Sequence, residues 1–452
     1  MSDYLLLFAL TVFSLSIFFM IWNPWRLSET VPTAIGAGIY LLFGIVPLYD
    51  VLEIFNIVRG ASITIISTIA MSIVLESIGF FHWVAFNIVK RAKCSGIKLF
   101  LYINSLCYLM TLFFNNDGSI LITTPIIIRT VNMLNLKPHQ KIAYLLPGAL
   151  TATAASAPIA ISNIANLIAL KIVGLDINSY VALMFVPSMI GIVTICFLLY
   201  LYFRRDIPKT LPNVQLSIDN YNLYSRSFPH PLSDQQEETQ VDWWMFRLCL
   251  LVIVITRGTF FILSPLGVPI EWIALSGAFI LIMLRWYRNN IGVRDVIRRT
   301  PWHILLFAFS MYILVYGLKN IGLTVILVNH LTESIQSNPI LSIFTMGGLI
   351  TLFSNVFNNL PAVMIGTLTL TEMSLDPQTL QIAYLANIIG SDIGSLLTPV
   401  GTLATLLWMF ILKENDIPIN WKQYFKVTIF IIPIGLLVSL TSLYYWTNFI
   451  MN

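Results

Sequence analysis

Apolar residues in this chain come in long unbroken runs rather than in the spaced stripes of a soluble helix. Runs near 4–22, 31–48, 61–80, 180–203, 242–263, 270–284, 302–318 and 424–448 are each long enough to cross, or nearly cross, a hydrocarbon core. They predict membrane-spanning helices, because the strands of a β-barrel would alternate over about ten residues instead. The first run has Asp3 as its only early charge and no small-residue cleavage pattern behind it. It reads as a retained helix, not a signal peptide.

Four further apolar regions are interrupted. Residues 98–135 break at Asn115–Gly118, and 340–372 break at "NNLP", 358–361. Residues 141–172 break at "SAPIAISN", and 380–412 at "GSDIGSLLTPVGT". Unwound backbone cannot face lipid, where each unpaired N–H or C=O costs several kcal/mol, but it is tolerated around a polar cavity. Basic segments flank 98–135 on both sides, so that region is expected to enter and return as a re-entrant hairpin with Asp117 at its tip. Residues 340–372 should do the same, and the other two regions should be discontinuous helices.

The breaks are related by an internal repeat. "ESIGFF" at Glu76 matches "KNIGLT" at Lys319, and "FFNNDGS" matches "VFNNLPA", with Asn115 against Asn358; both pairs are 243 positions apart. Pro158 pairs with Pro399, and Asn163 with Thr402, at slightly smaller offsets. The Pro-, Ser-, Asn- and Gln-rich stretch 204–241 divides the halves, giving a first membrane repeat at 1–203, a linker, and a second repeat at 242–452.

Lys and Arg give the orientation. "KRAKCSGIK", 90–98, holds four basic residues and no acid, and should be cytoplasmic. Counting back places an external loop at 49–60. The basic loop of the second half, 285–299, corresponds to that external loop, so equivalent loops lie on opposite sides. The expectation is an all-α polytopic protein of two inverted-topology repeats. It has about ten transmembrane helices, two re-entrant hairpins and two discontinuous helices. Both termini are outside, the linker is cytoplasmic, and the location is the cell membrane.

Composition agrees. Of 452 residues 57% are hydrophobic and 10% charged, with mean hydropathy +0.83, against about 25% charged in a soluble domain. The net charge of +4 is spread over loops and gives no reason to expect nucleic acid. Cys94, Cys107, Cys196 and Cys249 form no CxxC and no cluster with histidine, so no metal, disulfide framework or cofactor is expected. No nucleophile–base set or phosphate loop is visible, so the chain is not read as an enzyme. "FFHWVAFNIVKR" reads as a helix along the cytoplasmic interface. Glu76 and Lys319 are assigned interfacial or packing roles, and His303 and His330 structural ones.

The breaks offer two acids, Asp117 and Asp392. An intramembrane carboxylate is a functional candidate by default, and these two are the candidates for proton coupling. Amides and hydroxyls suit a neutral polyhydroxy solute or a partly dehydrated cation. Among those offered, which include Ser156, Asn166, Ser391 and Ser395, the solute-binding set is Asn115, Asn116, Ser162, Asn163, Asn358, Asn359, Thr398 and Thr402. No Arg or Lys falls in a break, which argues against a strongly anionic solute.

At these residues the chain resembles the arsenite efflux permease family of the ion transporter superfamily. The resemblance is carried by "FFNNDGSILITTPIII", "SAPIAISNIANLIAL", "FRRDIP", "MYILVYGLKNIGLT", "NNLPAVMIGTL" and "TPVGTLATLLW", in the same order across nearly the whole chain. It implies a secondary transporter expelling trivalent arsenic and antimony hydroxides in exchange for protons. The resemblance leaves open whether an ATPase subunit docks and whether the chain forms a homodimer. Two positions depart from the family pattern: Thr153 stands where an Asp is common, and Ser395–Leu396 where a Pro-Lys pair is. Joint loss of a buried acid and base is electrostatically consistent, but it bears on substrate and coupling. The alternatives are a cation/proton antiporter or other small-solute carrier on the same scaffold, and, from a different class, a passive channel.

Overall fold

The computed structural model describes residues 3–22, 28–211, 243–289, 292–417 and 419–451. Most of the linker, from 212 on, lies outside the described residues.

The described chain is helical, with no strand beyond a lone bridge between Ser95 and Thr210. The first repeat runs α1 (Asp3–Trp22), α2 (Thr30–Leu42), α3 (Leu48–Ser77), α4 (Phe80–Ala92), α5 (Gly96–Phe113), α6 (Asn116–Met133), α7 (Pro138–Ala154), α8 (Ile164–Val173) and α9 (Ile177–Phe203). The second runs α10 (Trp243–Leu263), α11 (Ile270–Asn289), α12 (Arg294–Arg299), α13 (His303–Asn320), α14 (Leu323–Ser337), α15 (Pro339–Phe357), α16 (Asn359–Glu372), α17 (Pro377–Asp392), α18 (Leu403–Glu414) and α19 (Trp421–Met451). Helix by helix the halves match, with one difference. The counterpart of the 30-residue α3 is cut into α12 and α13 at Pro301, which has no N–H to continue the ladder.

Ten of the described helices are long and apolar enough to cross a membrane. Two of these, α5 and α15, are first arms of hairpins. The 13-residue α2 and the broken pair α7–α8 cross in their place when the chain is traced. The expected external loop at 49–60 is instead the first third of α3. Its polar residues Glu53, Asn56 and Arg59 are exposed on that helix. Lys90, Arg91, Lys98, Lys137, Arg204, Arg205, Arg298 and Lys413 all fall on one side of this topology, the basic face.

Two units result. The scaffold exchanges helices between repeats: α2 packs on α13, and α11 on α3. The transport unit contains both hairpins, α5–α6 and α15–α16, both broken helices, α7–α8 and α17–α18, and the tightly paired α9 and α19. Arm helices α4 and α14 join scaffold to hairpin through Gly79 (φ 76°) and Gly322 (φ 92°). These repeat-equivalent positions both need the left-handed conformation that glycine adopts without penalty.

Candidate functional site

The four second segments α6, α8, α16 and α18 each begin at a polar N-cap. Asn115 Oδ1 accepts from Gly118 N at 2.5 Å, Asn163 Oδ1 from Ala165 N at 3.0 Å, Asn358 Oδ1 from Leu360 N at 3.3 Å, and Thr402 Oγ1 from Thr405 N at 3.1 Å. Asn and Thr do this because a short side-chain oxygen reaches the orphan N–H groups of the first turn. The segments then pair crosswise, α6 on α18 and α16 on α8. Hairpin arms of each repeat therefore lie against the broken helix of the other.

The breaks themselves sit slightly away from where the sequence placed them. Asn116, Asp117 and Gly118 form the first turn of α6, and the turn itself is only Phe114–Asn115. In the second hairpin Asn358 alone lies between helices, at φ 84° and ψ 155°, a region that normally only glycine occupies. The second discontinuity begins after Asp392, the last residue of α17, and runs to Thr402.

Asp392 is fully buried and collects donors from the other repeat. Ser156 Oγ donates at 2.8 Å, Asn163 Nδ2 at 3.0 Å and Asn166 Nδ2 at 2.7 Å, with neighbouring Ser391 Oγ at 3.4 Å. This knot ties the end of α17 into the gap between α7 and α8. In the same breaks and in α17, Ser162 Oγ, Asn166 Oδ1, Ser395 Oγ and Tyr384 OH are buried without a hydrogen-bond partner among the described residues. Thr153 turns its hydroxyl back to Ala149 O at 3.1 Å, and α7 touches the turn 394–397 that holds Ser395 and Leu396.

Asp117 is unlike Asp392, although the sequence offered them as partners in one task. It is only partly buried, and its carboxylate makes no hydrogen bond or ion pair with the described residues. Nearby, Asn115 and Asn116 spend their Oδ1 atoms on the turn and leave Nδ2 uncommitted among the described residues. At the second tip Asn359 is likewise uncommitted, whereas Asn358 Nδ2 donates to Val400 O at 3.1 Å.

Three residues outside the predicted set matter as much. Asn355, one turn before the second tip, accepts from Thr398 N at 2.8 Å and donates to Gly394 O at 2.9 Å, so it clamps hairpin to break. Asn166 supplies the shortest bond to Asp392. Arg257, in the span α10, is buried and donates through Nη2 to the carbonyls of Phe113 and Phe114 (2.9 Å to Phe114), directly before the first tip. A single arginine inside "VIVITRGTFF" was the available signal.

The two sides of the transport unit meet the scaffold differently. Away from the basic face, α8 packs on α3 and α16 on α13. Three polar contacts reinforce this side: Lys171 Nζ to Asn56 O at 2.5 Å, Asn178 Nδ2 to Phe261 O at 2.9 Å, and Lys319 Nζ with Glu372 Oε1 at 3.9 Å. Toward the basic face, α6 and α18 make at most grazing contact with the described scaffold spans. Residues 164–170 and 359–370 are all buried, whereas Asp117, Leu121, Leu403, Leu406 and Leu407 are partly exposed. Burial is thus complete on one side and partial toward the basic face, while Asn115, Asn116, Asn163, Asn358, Asn359 and Thr402 are themselves buried.

The sequence family described as "ArsB: Arsenical pump membrane protein" matches residues 8–447. The chain belongs to this family. A "Putative arsenical pump membrane protein" of Bacillus subtilis (strain 168) is 48% identical over 444 residues, covering 97% of this chain and 99% of the relative. The "Arsenical pump membrane protein" of Escherichia coli is 32% identical over 438 residues, covering 97% and 98%. Among solved structures, the YdaH transporter of Alcanivorax borkumensis superposes with TM-score 0.55 over 88% of this chain and 87% of that one. At 13% identity that likeness concerns the fold alone. As a member of the arsenical pump family with these spans, the chain is a multi-pass transporter of the plasma membrane.

Proposed function

We propose that the chain exports trivalent arsenic and antimony hydroxides in exchange for protons, by alternating access to the crossed breaks. The basic face is cytoplasmic by the distribution of Lys and Arg, as are residues 204–241, and both termini are outside. The less tightly packed side is then the cytoplasmic one, which supports reading the conformation as inward-facing.

One observation carries this reading. The first hairpin tip presents a carboxylate with no partner among the described residues beside uncommitted amides, at the head of α6, which makes at most grazing contact with the described scaffold spans. Trivalent arsenic hydroxide is largely uncharged near neutral pH, so it requires hydrogen-bond partners rather than a counter-ion. Asn115, Asn116 and Asn359 supply amide donors uncommitted among the described residues, while Ser162, Asn163, Asn358, Thr398 and Thr402 line the breaks behind them. Asp117 exchanges protons with the cytoplasmic side. Asp392 does so when Ser156, Asn163 and Asn166 let go, which couples its titration to movement between the repeats.

Everted vesicles from an arsenic-sensitive bacterium, with and without this chain, test the proposal. Arsenite and antimonite should accumulate inside the vesicles and should leak back when the pH gradient is collapsed. Accumulation indifferent to the gradient would remove proton exchange, and no accumulation would remove the solute.

A further inference from the structure

A guanidinium in the span of a membrane helix requires a reason, because burying a cation is expensive. Arg257 lies fourteen residues beyond Trp243, about 21 Å along α10 at ~1.5 Å per residue. Its relative exposure is 8%, and no acid pairs with it among the described residues. Its charge is met by backbone: Nη2 donates to both Phe113 O and Phe114 O, at the C-terminal end of α5. A helix C-terminus, with its orphan carbonyls and negative dipole end, is where a cation is favoured. Nε and Nη1 have no hydrogen-bond partner among the described residues, and the group rests 5.5 Å from the Phe260 ring.

The inverted repeat makes this contact informative. Phe114 is equivalent to Phe357, and α10 to α1. At the corresponding place α1 offers Phe13, whose ring lies 5.5 Å from that of Phe357. The first helix of each repeat therefore touches the hairpin tip of the other. One contact is apolar and tolerates sliding; the other is charge-assisted and directional. When the tip shifts, a buried cation loses its only acceptors among the described residues, so this contact is either made or broken.

We propose that Arg257 is a positioning residue for transport: it holds the first hairpin tip on the scaffold in the conformation described here, and the cycle releases that hold. Acting through Phe113 and Phe114, it fixes the turn that carries Asn115, Asn116 and Asp117. This rests on the reading that the transport unit moves against the scaffold.

The test uses the full chain with its four cysteines replaced and Leu121→Cys introduced on the partly exposed side of α6. In inside-out vesicles without solute, a membrane-impermeant maleimide should label this cysteine several-fold more slowly in Arg257→Met, because losing charge-assisted hydrogen bonds shifts the equilibrium at least about tenfold away from the conformation described here. Arg257→Lys should fall between. Arsenite uptake should lose Vmax with KM unchanged. Labelling at the wild-type rate in both variants overturns the proposal. If Arg257→Met does not accumulate, Arg257→Lys decides alone by the same criterion, and failure of both to accumulate assigns Arg257 to folding and overturns it. Labelling requires no solute, so a wild-type protein that labels as expected yet carries no arsenite defeats the transport reading and not this one.

Discussion

Asn166 Nδ2 lies 2.7 Å from Asp392 Oδ2, a bond between residues 226 positions apart that fastens the broken helix of one repeat into that of the other. A charge-assisted bond of this kind contributes about 2 kcal/mol. Asn166→Ala should lower the apparent Tm in detergent accordingly. Asp392→Asn should do more, since an amide NH2 then faces existing donors, and export should fall more than tenfold. An unchanged Tm in both would mean the knot is not structural.

Asp117→Asn separates proton exchange from a structural role in the first turn of α6. The cap there is Asn115 and the Asp117 carboxylate makes no hydrogen bond with the described residues, so the fold and the amide-lined tip should persist. Uphill export driven by a pH gradient should vanish while downhill exchange survives. Full gradient-driven flux in the variant would leave Asp117 as a first-turn residue of α6 and nothing more.

Asn358 holds a backbone conformation that costs a non-glycine residue about 1–3 kcal/mol. Both Asn358→Gly and Asn358→Ala lose the cap and the bond to Val400, but only glycine sheds the strain. The glycine variant should therefore be the more stable of the two by about 1 kcal/mol, read as a higher apparent Tm. Equal Tm values would argue that the backbone relaxes once the amide is gone.

Lys319 and Glu372 join scaffold to second hairpin on the side away from the basic face, each somewhat under one-third exposed. Solvent screening limits such a pair to about 0.5 kcal/mol. Lys319→Glu should increase labelling of a cysteine at Thr371 from outside by a small factor, and the double reversal with Glu372→Lys should restore it. Failure of the reversal to restore would place the contact outside the closing surface.

Asp295 sits outside the spans. Burial pushes its carboxyl up, but the two-pronged hydrogen bond and charge of the fully buried Arg285, at 2.6 and 2.7 Å, more than offset this and hold it below the usual carboxylate range. A depressed folded pKa contributes stability above the unfolded value of about 3.9, lost as pH falls through the folded value. Thermal stability should drop below about pH 4, and Asp295→Asn should flatten that limb. At neutral pH the same variant strands Arg285, and a loss of about 3 kcal/mol is expected.

Much of this was legible in residues because membrane insertion leaves strong marks. The 243-residue register survives since both halves must build the same hairpin, and polar breaks stand out against hydrocarbon. What escaped has physical reasons. Residues 49–60 look like a loop because Asp50, Glu53, Asn56 and Arg59 make the first turns of α3 polar. Arg257 disappears in the average hydropathy of its run. Asn355 sits within a helix, so a search confined to breaks passes over it. The different fates of Asp117 and Asp392 depend on pairing across the repeats, which no local pattern records.

The knot at Asp392 also sets an order of assembly. Ser156, Asn163 and Asn166 leave the ribosome more than 220 residues before the carboxylate that receives their hydrogen bonds. The first repeat must therefore enter the bilayer with its polar break unanswered, and it reaches its working shape only when the second arrives. Expressed alone, the first half should insert but be degraded; co-expressed as separate polypeptides, the halves should rescue each other.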